Sequence, residues 1–314
     1  MRAATWILPI VAGALVAPAT IASATVPSGD GVYPLTGLPV DDPATAGRPA
    51  LVVTIDNCCG DTAYRQSGLD DADIVFEYEA EGTTRLAAVF NSGGSDPVGP
   101  IRSARTTEID LLASLGGVVL ATSGGNEAVV SALAATDFVV LGQGDGMFRD
   151  DVYPAPHNLF ANTSELFELA GDAAPATAPF DHDVAVPAGE AASFIDIAFA
   201  AVPVTWEYDV EAETYFRQQH GAQHTLGDDS WVSTDNVVVL GVEYVWSAAD
   251  SRSPEAFTVG SGPVVVYRNG VAVTGEWSRA TRTDPFTLTD AAGAPITLTP
   301  GRTWVELVGP LPAT

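Results

Sequence analysis

Residues 73–92, DIVFEYEAEGTTRLAAVFNS, decide how the chain is to be read. Ile74, Phe76 and Tyr78 alternate with Glu77, Glu79 and Glu81, the period of two that a strand imposes. A second apolar run follows Gly82, so the stretch predicts a β-hairpin turning near that glycine. Carboxylates on one strand face lie roughly 7 Å apart and repel one another unless water, a cation or arginine lies between them. In a chain with 40 acidic and 13 basic residues, a solvated sheet face is the commoner outcome. Arg85, Arg102 and Arg105 all fall within the 24 residues after Glu81 and offer the other outcome, direct counter-charge.

Upstream, PALVVTIDN (residues 49–57) predicts a buried strand ending in Asp56-Asn57, followed by a loop over residues 58–72. Downstream, VGPIRSARTTEIDLLASLGG (residues 98–117) predicts a turn at Gly99-Pro100 and a helix over about 106–115, stopped by Gly116-Gly117. A helix N-terminus carries partial positive charge and disfavours arginine, so Arg102 and Arg105 require negative charge nearby. The protein's own glutamates are one source. An anion is the other, because free N–H groups at a helix start favour phosphate or carboxylate and arginine binds either bidentately. The two are compatible. Arg85, Arg102, Ser103, Arg105 and Asn158 are therefore the candidate ligand-binding residues, with Asp56, Asn57, Asp73, Glu77, Glu79 and Glu81 supporting them. His157, in YPAPHNLF, is the candidate acid or base: a lone histidine is more often structural, but a Pro-rich loop can fix an imidazole for proton transfer. His182, His220 and His224 show no metal-ligand spacing, and no metal is assigned.

Beyond these elements, GVVLATSGG and DFVVLGQGDG predict strands, NEAVVSALAAT a short helix beginning near Asn126, and Thr163 the cap of a further helix. An Ala/Pro/Asp-rich linker over residues 173–189 precedes a mostly strand-like remainder, residues 190–314. The predicted fold class is α+β: an α/β-like N-terminal domain over residues 49–172, then a β-rich C-terminal domain. Residues 25–48 form an extended lead-in.

The first 24 residues have the arginine, Pro-interrupted apolar run and Ala22-Ser23-Ala24 of a secretory signal peptide, with cleavage expected near Ala24. The apolar run is short for a membrane span, and no later stretch would serve as one. No cysteine precedes Cys58, so the chain is expected to be secreted or envelope-associated and not a lipoprotein. A net charge of −27, with arginine as the sole basic residue type, argues against a nucleic-acid partner, which would need basic residues for its phosphates. Cys58 and Cys59 are adjacent, and export makes a disulfide plausible; a vicinal disulfide, an intermolecular bridge and two free thiols all remain open.

The stretches PLTGLP, VVTIDN, QSGLDDADIVFEYEAEGTTRLAAVF, GPIRSAR and APHNLF resemble the N-terminal domain of the bacterial exported family DUF3048, the YerB-like lipoproteins. NVVVLGVEY, GSGPVVVYRNGVAVTGEWSR and LTPGRTWVELV resemble its C-terminal domain. The resemblance implies architecture and compartment but no reaction. The chain departs from it in lacking a lipidated cysteine and in placing Cys58-Cys59 after the Asp-Asn motif.

Three functions compete. In the first, a cell-envelope protein binds an anionic ligand: a wall polymer, a phosphate or carboxylate group, or an exported protein. The lack of a recognised catalytic motif favours it, and no cofactor is evident. In the second, a metal-assisted phosphotransferase or hydrolase acts on envelope phosphates, in a layout that loosely resembles the LytR-CpsA-Psr phosphotransferases. Asp56, Asp73 and the glutamates would then hold a divalent cation, the arginines would neutralise developing charge, and His157 would transfer the proton. In the third, the arginines and glutamates form the internal lattice of a non-catalytic scaffold.

Overall fold

Strands rather than helices carry this chain. The structure, a computed structural model, describes residues 31–58, 65–185 and 188–310. The expected signal peptide lies outside them.

The hairpin forms as its alternation requires. β1 (Ala50–Asn57), β2 (Ile74–Ala80) and β3 (Thr83–Phe90) are almost wholly buried, and β3 pairs antiparallel with both others. Burial on both faces explains why β1 reads as an unbroken apolar run up to Asp56. β4 (Val118–Ala121) and β5 (Val139–Leu141) extend this edge in parallel. On the other edge, the late strand Thr303–Val308 lies between Asn236–Gly241 and β2, parallel to both. Through it, strands from the two halves of the sequence join one eleven-stranded sheet, and the described residues belong to one compact unit.

The expectation of an α/β-like N-terminal half is corrected here: the fold is mostly β, built from several sheets. α1 (Thr107–Leu111), α2 (Glu127–Leu133) and α3 (Thr163–Glu168) are too short to form a helical layer. α1 continues only as a 3-10 turn, Leu112–Leu115. α2 begins at Glu127, next to the expected start near Asn126, and Asn126 caps it, accepting from Val129 N. Thr163 is instead the first residue of α3, and its hydroxyl accepts from Ser95 N at 2.7 Å.

A five-stranded sheet including Phe194–Ala198, Pro203–Asp209 and Thr214–Gln219 covers one face of the large sheet. Trp206 meets Trp304 edge to face there, centroids 5.3 Å apart, in a core shared with Val75 and Leu86. On the opposite face Ile74, Phe76 and Tyr78 pack with Leu111, Leu112, Phe180 and Phe286. The Ala/Pro/Asp-rich stretch lies against both halves: Ala176 N donates to Arg48 O at 3.0 Å, and Phe180 stacks on Phe286 at 5.4 Å.

Candidate functional site

Asp56 and Asn57 are consecutive on β1 and point to opposite faces. Register then sorts the polar residues. Asp56 lies opposite Arg85, and Arg85 opposite Tyr78, so these three share a face. Asn57 lies opposite Thr84, and Thr84 opposite Glu79, on the other face, together with Glu77.

The Asp56 face gathers all three candidate arginines. The segment carrying Arg102 runs extended beside the end of β1: Arg102 N donates to Thr54 O at 2.8 Å, and Ile101 bridges Ile55. Gly99 permits the approach, for at φ 150° a Cβ would sit 2.6 Å from Phe160 Cδ1 and 2.9 Å from Leu159 O. Asp56 Oδ2 lies 2.5 Å from His157 Nδ1 and 3.5 Å from Arg102 Nε, while Oδ1 lies 3.8 Å from Arg85 Nη1. Asp56 and Arg85 are buried; the Arg102 side chain is 25% exposed and that of His157 16%.

Arg105 does not reach this group. Its guanidinium pairs with Glu81 and donates to Ala104 O at 2.7 Å and Ser103 O at 3.2 Å. Its backbone N–H donates to Glu108 Oε2 at 3.2 Å, so the protein's own acid serves the start of α1. Glu108 also accepts from Tyr78. Burial raises its carboxyl to about 7 despite the hydrogen bonds from Tyr78 and Arg105 that oppose the shift. Burial likewise lowers Arg85, against the charge of Asp56.

Glu81 belongs to this face as well, although alternation from Glu77 and Glu79 predicts otherwise. It sits in the turn at φ 52°, which releases it from the strand's period, and lies 4.0 Å from Arg85 Nη2. Glu77 and Glu79 are not brought to the arginines. Glu77 accepts from Asn57 Nδ2 (3.1 Å), Thr84 Oγ1 (2.7 Å), Arg217 Nη2 (2.7 Å) and Trp304 Nε1 (3.2 Å). Glu79 accepts from Ala200 N at 2.6 Å, and burial raises its carboxyl.

Three further candidates have structural partners. Asp73 accepts from Asn91 N at 2.6 Å and Ser92 N at 2.9 Å, away from the arginines. Asn158 accepts from Arg149 Nη1 at 2.7 Å, and Ser103 Oγ lies 3.2 Å from Ser123 Oγ. Sequence reasoning missed Glu108, Arg217, Glu306 and His224. Glu108 follows Arg105 by three residues, the spacing of a side chain that reaches back to a helix start, so a signal for it existed. Arg217, Glu306 and His224 reach Glu77's cluster from far along the chain and carry no local signal.

Three guanidinium groups thus meet two carboxylates, Asp56 and Glu81, beside a Glu108 poised near neutrality. Among the described residues, Arg85 Nε and Nη1, Arg102 Nε and Asp56 Oδ1 are buried without a hydrogen-bond partner. Asp56 Oδ2, Cys58 Sγ and His157 Nδ1 also lie within 4.8 Å of one another. Cys58 is disulfide-bonded, and the only other cysteine in the chain is Cys59.

Residues 35–176 match the family described as "Protein of unknown function (DUF3048) N-terminal domain", and residues 195–305 match its C-terminal domain. The chain is 27% identical over 300 residues to "Putative lipoprotein YerB" of Bacillus subtilis (strain 168), covering 89% of this chain and 87% of the relative. The crystal structure of YerB protein from Bacillus subtilis superposes with a TM-score of 0.75 at 22% identity, over 88% of this chain and 96% of that one. These likenesses correct one expectation. The chain was expected not to be a lipoprotein, and the relative it aligns with over most of its length bears the name of one; the expectation rested on N-terminal residues outside the described part. No helix among the described residues is long and apolar enough to cross a membrane.

Proposed function

We propose that this chain, which belongs to the DUF3048 family through both its N- and C-terminal domains, is a cell-envelope protein that binds an anionic group at Arg102, over the buried Asp56–Arg85 pair. One observation carries the reading: arginine donors converge at Asp56 without being saturated. Both terminal nitrogens of Arg105 are taken up by Glu81 and by carbonyls, although its buried Nε has no partner among the described residues. Arg102, by contrast, is partly exposed and touches Asp56 only through Nε; neither Nη atom has a hydrogen-bond or ion-pair partner among the described residues. A phosphate or carboxylate oxygen supplies what a guanidinium fork accepts. His157, held by Asp56, borders the same group and suits a ligand hydroxyl or acid.

The net charge of −27 repels anions from bulk, so added salt weakens that repulsion even as it screens the final contacts. Titration calorimetry with phosphate-bearing and carboxylate-bearing wall fragments, with and without magnesium, tests the reading. A charge-assisted contact contributes about 1.5–3 kcal/mol, so folded Arg102→Ala should bind roughly 10- to 100-fold more weakly. If neither class binds the wild type better than the variant, the reading fails.

A further inference from the structure

From Asp56, Cys58 and His157 we infer a divalent-metal site of zinc type that opens when the Cys58 disulfide is reduced. Asp56 and Cys58 stand two apart, as same-face neighbours along an extended chain do, and His157 closes the group from a loop about a hundred residues away. Cys58 Sγ lies 4.0 Å from Asp56 Oδ2 and 3.9 Å from His157 Nδ1, and the two lighter donors are 2.5 Å apart. Around a tetrahedral zinc with bonds of about 2.0–2.3 Å, such donors stand roughly 3.3–3.6 Å apart. The sulfur need close by only a few tenths of an ångström, and the carboxylate–imidazole contact opens by less than one. One sulfur, one nitrogen and one oxygen form a borderline set that suits zinc better than magnesium or calcium.

A second feature points the same way. Asp56 is fully buried, and its Oδ1 has no hydrogen-bond partner among the described residues, so this carboxylate has acceptor capacity beyond what its neighbours fill. The nearby arginines would normally repel a cation. Reduction changes the balance, because a Cys58 thiolate joins the Asp56 carboxylate and the two together match a divalent charge. Three protein donors leave a fourth position open, as catalytic zinc sites do, beside Arg102. The site stands without the anion reading.

The steps balance. A phosphine gives two electrons to the disulfide and takes an oxygen from water to become its oxide, the two water protons going to sulfur, so that Cys58 and its partner become thiols. On metal binding Cys58 releases its proton to solvent. The Nδ1–H of His157 faces the Asp56 carboxylate in the metal-free chain; on metal binding that proton leaves to solvent and Nε2 takes one up, so the Nδ1 lone pair binds the metal.

Cobalt(II) titration of the full chain tests the inference, with sulfur-to-cobalt charge-transfer absorption as the readout and near-ultraviolet circular dichroism as the check on folding. The oxidised protein should show none. After reduction by a phosphine and anaerobic desalting, one equivalent of cobalt should produce the band. Cys59→Ser should produce it without reductant, Cys58→Ser should abolish it, and His157→Ala should weaken binding at least tenfold. Absence of the band in both the reduced wild type and folded Cys59→Ser overturns the site. So does a band that survives Cys58→Ser but disappears in Cys59→Ser, or cobalt affinity equal in the oxidised and reduced chains. Loss of anion binding by Arg102→Ala is a separate readout and leaves the metal result untouched.

Discussion

On one face of the hairpin, Arg217 is buried between Trp206 and Trp304, 5.9 and 5.0 Å from their ring centroids, and donates to Glu77 and to His224 Nδ1. On the other, Arg85 and Arg102 approach Asp56 at 3.8 and 3.5 Å without closing a hydrogen bond to it. The residue types are nearly the same, and each face keeps buried polar atoms without a partner (Arg217 Nε, Glu79 Oε2 and Glu306 Oε2 on the first), but only on the first does an arginine close a hydrogen bond to its buried carboxylate partner. His224 accepts from arginine, passes its Nε2 hydrogen to Gln66 Oε1 at 2.6 Å, and is held far below its ordinary range by burial and then by Arg217. Glu306, fully buried beside Glu77, is pushed well above the usual carboxylate range by burial and by Glu77's charge. Its Oε1 accepts from Trp206 Nε1 at 2.9 Å, while its Oε2 has no hydrogen-bond partner among the described residues. Such a network holds two sheets in register. Asp56's group has donors to offer and an exposed arginine through which to offer them.

The largest stability loss belongs to the Glu77–Arg217 face. Arg217→Ala should cost about 3–5 kcal/mol in urea unfolding, because it strands Glu77 as a buried, unpaired charge. A loss under about 1 kcal/mol would mean that the network is not what joins the sheets.

The second effect depends on pH and belongs to Glu108. Its carboxyl rises from 4.5 to about 7 on folding, so the folded state holds a proton that the unfolded state releases. The associated stability is present below about pH 4.5 and is lost as pH rises through 7. Its size is about 3 kcal/mol. Urea midpoints at pH 5 and pH 7.5 should fall with pH more steeply in the wild type than in Glu108→Gln; parallel slopes would remove Glu108 from the account.

The smallest effect on stability should come from Arg102→Ala. A partly exposed arginine with one 3.5 Å contact contributes under about 1 kcal/mol. A loss as large as that of Arg217→Ala would make the Asp56 face structural too and erase the distinction.

The hairpin was legible because alternation and Gly82 both act locally, and the helix start showed that Arg105 needed an acid. What could not be read was which acid. Period two assigns Glu81 to the side of Glu77 and Glu79, and only the turn's positive φ carries it across to Arg85 and Arg105. His157 was singled out from its loop, but its contact with Asp56 joins residues about a hundred apart, and nothing local encodes it. The α/β impression failed for a related reason. β1, β4 and β5 are parallel, as the pattern suggests, yet the helices packed beside them, α1 and α2 on one face and α3 on the other, are too short to form layers, and most of the remaining strands of the large sheet come from the second half of the chain.

The central claim is that the unsaturated Asp56–Arg85–Arg102 face, and not the Glu77–Arg217 face, takes the anion. Anomalous diffraction from crystals equilibrated with selenate, at a concentration that saturates the wild type in solution, tests this most directly. The account predicts a selenium peak within hydrogen-bond distance of an Nη atom of Arg102, lost in crystals of Arg102→Ala. A peak beside Arg217, or one at Arg102's position that persists in the variant, would contradict it.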